Sequence, residues 1–214
     1  MMRRSPAWMA LGAGLAFGLF ALTFGGPRRR FWHRMTGTGL ALGAFALAAR
    51  PQLRRIPLGL KDILLGVGSA VGLYGIFHLG DRLSRRIIPG GGAQIEEIYA
   101  LKRIRPRLEL VIRLGLIIAP AEELFWRGFL QESLMKYFGR WQGTLLGVIA
   151  YGGAHLVSRN FALIGAATVA GAFWGSLYSL GAPLGALIVS HVVWDPLIFL
   201  VAPTTRLSDD ESDA

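Results

Sequence analysis

Seven apolar stretches, separated by short loops that hold most of the charged residues, constrain this sequence more than any other feature. A helix needs about 20 consecutive apolar residues to cross a bilayer, and these stretches approach that length. Of the 214 residues, 53% are hydrophobic and only 17% are charged. Soluble domains carry about a quarter charged residues, so this balance excludes an ordinary soluble domain. The sequence therefore predicts an all-α, polytopic transmembrane helical bundle.

The apolar stretches divide the chain into an N-terminal part, a core and a tail. Residues 1–107 are predicted to hold three spans and one interfacial helix, and residues 108–203 the four spans of the core. Residues 204–214 are polar and acidic, a composition typical of disorder. We expect one membrane domain. The predicted spans are residues 7–25, 31–49, 62–80, 108–137, 141–157, 161–180 and 183–202.

Residues 93–107, between the third and fourth predicted spans, mix apolar with charged side chains. Apolar residues recur at spacings of three and four, as in Ile95, Ile98 and Tyr99, and charged residues such as Glu96 and Lys102 are interspersed with them. This pattern predicts an amphipathic helix in the membrane interface. Such a helix can be a lid over a site or a plain anchor, and the anchor is the simpler interpretation.

The net charge of +10 would favour nucleic acid as a partner of a soluble protein. Here the basic residues lie mostly in loops, where lipid head groups and topology account for them, so we expect no nucleic-acid partner. The positive-inside rule places loops 28–34 and 82–107, with the C-terminal tail, in the cytoplasm. The chain has no cysteine, which excludes disulfides, thiolate metal sites and a Cys nucleophile.

Ionisable residues also occur inside three of the apolar stretches. Such groups are costly at membrane depth, so they normally face the protein interior and mark a functional site. They are Glu122, Glu123 and Arg127 in the fourth stretch, His155 in the fifth, and His191 with Asp195 in the seventh.

Helical spacing assigns these residues to different roles. Glu123 and Arg127 are four apart and can pair on one face of a helix, which suggests structural support. Glu122 is rotated from Glu123 by about 100° and is free to act elsewhere. His191 and Asp195 are also four apart and share a face.

A buried carboxylate with two imidazoles is compatible with three kinds of chemistry. Glu122 can activate water for general acid–base hydrolysis, with a histidine assisting. Glu122, His155 and His191 can instead hold a catalytic zinc ion with an open coordination position. The same groups can form a proton or ion relay in a transporter. The simplest alternative is that they only hydrogen-bond the helices together.

Three short motifs resemble those of a known family. They are Glu122-Glu123-x-x-x-Arg127, Tyr151-x-x-x-His155 and His191-x-x-x-Asp195. In order and spacing they resemble the signature of the CAAX protease and bacteriocin-processing family, intramembrane endopeptidases related to type II CAAX prenyl proteases. The resemblance covers residues 108–202. Two positions depart from the pattern, because Tyr stands where the second motif usually has Phe, and Asp where the third often has Asn.

The resemblance implies an intramembrane endopeptidase in the cell membrane, acting on the C-terminal or leader segment of a membrane-associated protein or peptide. It implies that Glu122 and His155 activate water, while His191 and Asp195 orient it or stabilise the tetrahedral intermediate. Because the H-E-x-x-H zinc signature is absent, a glutamate mechanism without cofactor is favoured over zinc. The alternatives are a polytopic transporter and a non-catalytic immunity-type membrane protein.

Overall fold

The computed structural model describes residues 6–205, and every regular element in that range is helical, as predicted. Most of the predicted disordered tail, from residue 206 on, lies outside the described residues. The α-helices are α1 (Pro6–Phe24), α2 (Phe31–Ala49), α3 (Leu60–Ile87), α4 (Gly91–Tyr99), α5 (residues 107–138), α6 (Arg140–Ala154), α7 (Phe161–Ser179) and α8 (Leu184–Pro196). Short 3-10 helices cover Arg28–Arg30, Pro51–Arg54, Ala100–Ile104 and Leu156–Ser158.

Within residues 6–205, four helices are long and apolar enough to cross a membrane. They are Pro6–Phe24, Leu60–Ile87, Phe161–Ser179 and Leu184–Val201, the last including a π-helical continuation of α8. The chain is therefore a membrane protein. The helices α2, α5 and α6 do not meet the same criteria of length and apolarity. The total of seven spans stays a prediction.

The connections between helices gather at two ends of the bundle. At one end, Arg28 in the α1–α2 connection lies 3.4 Å from Glu97 of α4. Asn160, just before α7, donates from its side chain to the carbonyl oxygen of Gln94 in α4 at 2.9 Å. We call this the α4 end.

The opposite end is organised around Arg50, which directly follows α2. Its guanidinium donates to the carbonyl oxygen of Gly128 at 2.6 Å and lies 3.3 Å from the carboxylate of Glu132, both in α5. Tyr178, near the end of α7, donates its hydroxyl to Glu132 at 3.0 Å. We call this the Arg50 end.

Helix α5 lies against α2, α6 and α8 and does not keep α geometry throughout. Its turns widen to the π form over Arg113–Ile118 and again over Leu124–Gln131. Pro120 lies between these segments. Because proline lacks a backbone N–H, local π turns are one way in which a membrane helix rebuilds its hydrogen bonds near it. The irregular backbone therefore flanks Glu122 and Glu123.

The predicted interfacial helix is real but shorter than expected. Helix α4 ends at Tyr99 and a 3-10 segment, Ala100–Ile104, follows it. The indole N–H of Trp32 donates to the carbonyl oxygen of Leu101 at 2.9 Å, which gives this carbonyl a partner from outside the segment. The apolar face packs through Ile95 and Tyr99 against the start of α7.

Helix α3 extends beyond its predicted end at residue 80 to Ile87. The added turns carry charged side chains, and Arg85 donates to Asp81, four residues earlier, at 3.0 Å. An ion pair at this spacing stabilises a helix after the apolar run has ended. The apolar run therefore underestimates the length of the helix.

Single cysteines test the predicted alternation of seven spans, because the chain has none of its own. Arg29 is exposed at the α4 end and Arg54 at the Arg50 end. We expect a membrane-impermeant maleimide to label Arg54→Cys in intact cells and Arg29→Cys only after lysis. If both positions were labelled in intact cells, α2, which lies between them, would not cross the membrane. The predicted orientation would then also be wrong.

Candidate active site

A cavity of about 180 Å³ lies among α5, α7, α8 and the end of α6. Its lining includes Glu122, His155, His191 and Asp195. These four residues come from three helices that are distant in sequence. The structure thus brings together all the residues for which the sequence predicts chemistry.

The remaining wall of the cavity is mostly aromatic and aliphatic. Phe31 and Phe199 line it towards the α4 end. Ile98 in α4 and Leu101 in the following 3-10 segment line it as well. The interfacial segment therefore forms part of the cavity wall, in addition to any anchoring role.

Glu123 is fully buried and does not line the cavity. Its Oε1 accepts a hydrogen bond from Nη1 of Arg127 at 2.9 Å, the pair that the spacing predicts. The same oxygen lies 2.9 Å from Nδ1 of His191, a contact that the sequence does not predict. Glu123 thus connects α5 to α8 and holds the ring of His191 as well as the guanidinium.

Arg127 lies between two aromatic rings. Its Cζ is 4.8 Å from the ring centroid of Tyr151 and 5.4 Å from that of Trp174. Such cation–π contacts stabilise a cation that has been removed from water. Arg127 is therefore partnered by Oε1 of Glu123 and by these two rings, whereas the buried Oε2 of Glu123 has no hydrogen-bond partner within residues 6–205.

The imidazole of His191 contacts Asp195, Trp174 and Glu123. Its Nε2 lies 3.4 Å from Oδ1 of Asp195, one turn further along α8. Trp174 stacks on the imidazole, with ring centroids 4.0 Å apart. With Glu123 at Nδ1, these contacts fix both the position and the plane of the ring.

His155 follows the last residue of α6 and is also buried. Its Nδ1 lies 2.8 Å from the carbonyl oxygen of Tyr151. The rings of Phe20 and Phe24 are in contact with the imidazole, at centroid distances of 5.0 and 5.5 Å. The ring is therefore held by one hydrogen bond in an apolar surrounding.

Glu122 is buried at the wall of the cavity, and its Oε2 accepts a hydrogen bond from the hydroxyl of Tyr151 at 2.8 Å. A carboxylate has two oxygens and several acceptor sites, so this bond leaves it able to accept others. Glu122 is thus hydrogen-bonded to Tyr151, whereas Glu123 is ion-paired with Arg127 as its spacing predicts.

Residues 105–197 match a family model described as Type II CAAX prenyl endopeptidase Rce1-like. The match includes all three motifs, from Glu122 to Asp195. This stretch is therefore similar to type II CAAX prenyl endopeptidases. It begins after α4 and covers just under half of the chain. No curated protein and no solved structure matches the chain.

A zinc ion at this site would need Glu122, His155 and His191 as ligands. Nitrogen and oxygen ligands lie about 2.0–2.2 Å from zinc, so three side chains must converge closely. Within residues 6–205, no group of three or more His, Cys, Asp and Glu side chains is arranged to hold a metal ion. The side chains as placed do not fit a zinc site, and no step below passes through a metal.

The sequence predicts no role for Trp174, and it marks Tyr151 only as a departure from the usual second motif. Both are buried residues that contact Arg127 and a histidine of the site. Trp174 lies in an almost uncharged span, where nothing in the local pattern marks it. The hydroxyl of Tyr151 could have been predicted to bond a polar group of the site, because buried polar groups are normally hydrogen-bonded.

The two adjacent carboxylates should differ sharply in their effect on stability. Glu123→Gln and Arg127→Met each leave a buried charge without its ion-pair partner, at a cost of about 3–5 kcal/mol. Glu122→Gln keeps an acceptor for Tyr151 and should unfold close to the wild-type temperature. Thermal unfolding of the purified variants in detergent measures this. A stable Glu123→Gln beside an unstable Glu122→Gln would reverse the two assignments.

Proposed function

We propose that the protein is an intramembrane endopeptidase that hydrolyses a peptide bond in a membrane-associated protein or peptide. The observation that carries this proposal is the cavity in which Glu122, His155, His191 and Asp195 meet, within residues that match CAAX proteases. Four ionisable side chains at one cavity among membrane helices are costly to bury. Catalysis accounts for this cost better than helix packing, which needs no such grouping.

In the proposed reaction, Glu122 acts as the general base. It takes a proton from a water molecule, and the hydroxide adds to the carbonyl carbon of the substrate to give a tetrahedral intermediate. The same carboxyl group then gives its proton to the amide nitrogen as the C–N bond breaks. One water is consumed, and one carboxylic acid and one amine are released.

We assign His155 the orientation of the attacking water. The carbonyl oxygen of Tyr151 can only accept a hydrogen bond, so Nδ1 of His155 carries the hydrogen in their 2.8 Å contact. In a neutral ring, Nε2 is then an acceptor. This nitrogen can accept one hydrogen of the water while Glu122 accepts the other.

We assign His191 the stabilisation of the negative oxygen in the intermediate. Glu123 occupies Nδ1, so the proposed donor is the Nε2–H, whose contact with Asp195 is long at 3.4 Å. A donor that is already fixed in place is effective in this role because it needs no reorganisation during the reaction. Contacts with Glu123 and Trp174 support this placement. An ionised Asp195 donates no hydrogen bond, so its proposed role is to orient His191.

The apolar wall of the cavity supports a substrate whose cleaved bond adjoins an apolar segment, at a C terminus or in a leader. The residues Phe31, Ile98 and Leu101 place this wall towards the α4 end. We propose a multi-pass protein of the cell membrane with this end in the cytoplasm, as the basic loops predict.

Loss of the base should abolish cleavage without loss of the fold. Glu122→Gln keeps the size and hydrogen bonding of the side chain, and we expect turnover to fall by about 10²–10⁴-fold. Membranes from cells expressing wild type or variant are compared by mass spectrometry of new peptide termini. Purified enzyme in liposomes is then assayed on the peptides found.

Glu96→Gln is the matched control, because Glu96 is an exposed carboxylate on α4 and its loss should change nothing. New termini that appear equally with wild type and Glu122→Gln would contradict the proposed base. A wild-type protein that produces no new termini would favour the transporter or immunity alternatives.

Replacement of Asp195 separates the glutamate mechanism from a zinc mechanism. Asn keeps the shape of Asp and still accepts a hydrogen bond, so Asp195→Asn should retain substantial activity if Asp195 orients His191. If Asp195 were instead the carboxylate that joins His155 and His191 as a zinc ligand, Glu or His could replace it but Asn, a poor zinc ligand, could not. We also expect elemental analysis of active enzyme to find no stoichiometric zinc. One equivalent of zinc, lost with activity in Asp195→Asn, would overturn the mechanism.

A further inference from the structure

We propose that Tyr151 is a positioning residue for Glu122, holding the carboxylate through its hydroxyl so that one oxygen faces the water. This proposal rests on the endopeptidase function. The proposal gives the hydroxyl group of Tyr151 a specific role. If Tyr151 served only in packing, its ring would be sufficient.

Tyr151 contacts each part of the site through a different group. Its hydroxyl donates to Oε2 of Glu122 at 2.8 Å. Its carbonyl oxygen accepts from His155, and its ring lies 4.8 Å from Cζ of Arg127. A shift of this residue would therefore displace the base, the second histidine and the supporting arginine together.

The ring of Tyr151 has little room to move. Its relative exposure is 6%, and Trp126 packs against it edge to face at a centroid distance of 5.1 Å. On the other side lies Gly171 of α7, where an added Cβ would come within 2.8 Å of the tyrosine ring. A fixed ring fixes the hydroxyl oxygen, so the hydrogen bond also selects one rotamer of Glu122.

The hydroxyl matters because it is a donor at a carboxylate. A hydrogen bond to a charged group is stronger than one between neutral groups, and it is directional. With Oε2 engaged by Tyr151, the proposed proton transfer from water goes to Oε1. Without the hydroxyl, the carboxylate can rotate, and both oxygens become equivalent acceptors.

Tyr151→Phe removes only the hydroxyl and keeps the packing of the ring. We expect kcat to fall about tenfold or more, with KM close to wild type. A purely structural role of the ring would be retained by Phe and would leave kcat unchanged.

The matched control is Tyr178→Phe. Tyr178 donates to the carboxylate of Glu132 at 3.0 Å, the same kind of bond, at the Arg50 end and outside the cavity that holds Glu122. This variant should keep wild-type kcat and KM. An equal loss in both variants would overturn the proposal, since the effect would then not be specific to Glu122.

A second measurement reports on Glu122 without any turnover. The apolar reagent dicyclohexylcarbodiimide modifies protonated carboxyl groups, and mass spectrometry of the peptide resolves Glu122 from Glu123. We expect labelling of Glu122 to be several-fold faster in Tyr151→Phe than in wild type or Tyr178→Phe, because the carboxylate has lost its donor. Glu122→Gln gives the background from Glu123.

The two measurements distinguish failure of this proposal from failure of the proposed function. If wild type cleaves and Tyr151→Phe matches it in kcat or in labelling, the positioning role is wrong and the peptidase stands. If wild type cleaves nothing, the peptidase proposal fails, and faster labelling in Tyr151→Phe still supports the placement of Glu122 by the hydroxyl. Equal labelling in that case would overturn both.

Discussion

The ion pair of Glu123 and Arg127 is the interaction on which the rest of the bundle depends. Both side chains are almost completely buried, at 0% and 2% exposure, and their nitrogen and oxygen atoms are 2.9 Å apart. Removing two charges from water costs several kcal/mol each, and only a complete set of partners offsets this. Three helices around α5 supply partners, with Tyr151 of α6 and Trp174 of α7 at Arg127 and His191 of α8 at Glu123.

The partners of this ion pair are also the neighbours of the catalytic candidates. Trp174 lies over Arg127 and stacks on His191, while Tyr151 lies over Arg127 and hydrogen-bonds Glu122. Each ring thus has one contact that stabilises the buried charge and one that holds a candidate catalytic group. Structural support and positioning are carried by the same side chains, so the rigidity of the cavity follows from the burial of the ion pair.

Local features of the sequence predict what depends on neighbours along the chain. The apolar run at residues 161–180 predicts α7, which is observed as Phe161–Ser179. This prediction succeeds because the length of an apolar run is a property of consecutive residues. The spacing of four likewise gives Glu123 with Arg127. The contact of Glu123 with His191 joins residues that are 68 positions apart, and no local period encodes it. The three motifs predict residues that line one cavity, but the contacts between them follow only from the fold.

The two departures from the usual motifs of the family meet in this cavity and act on its donors in opposite ways. Tyr151 adds a hydroxyl that Phe lacks, whereas Asp195 lacks the amide donor of Asn. The added donor does not simply replace the missing one, because it is bonded to Glu122 at 2.8 Å. In the proposed mechanism the substrate oxygen must then find its donor at His191, whose Nε2 is 3.4 Å from Asp195. Since Glu123 holds the other nitrogen of that ring, the electrostatics of the reaction depend on the same buried carboxylate that holds Arg127.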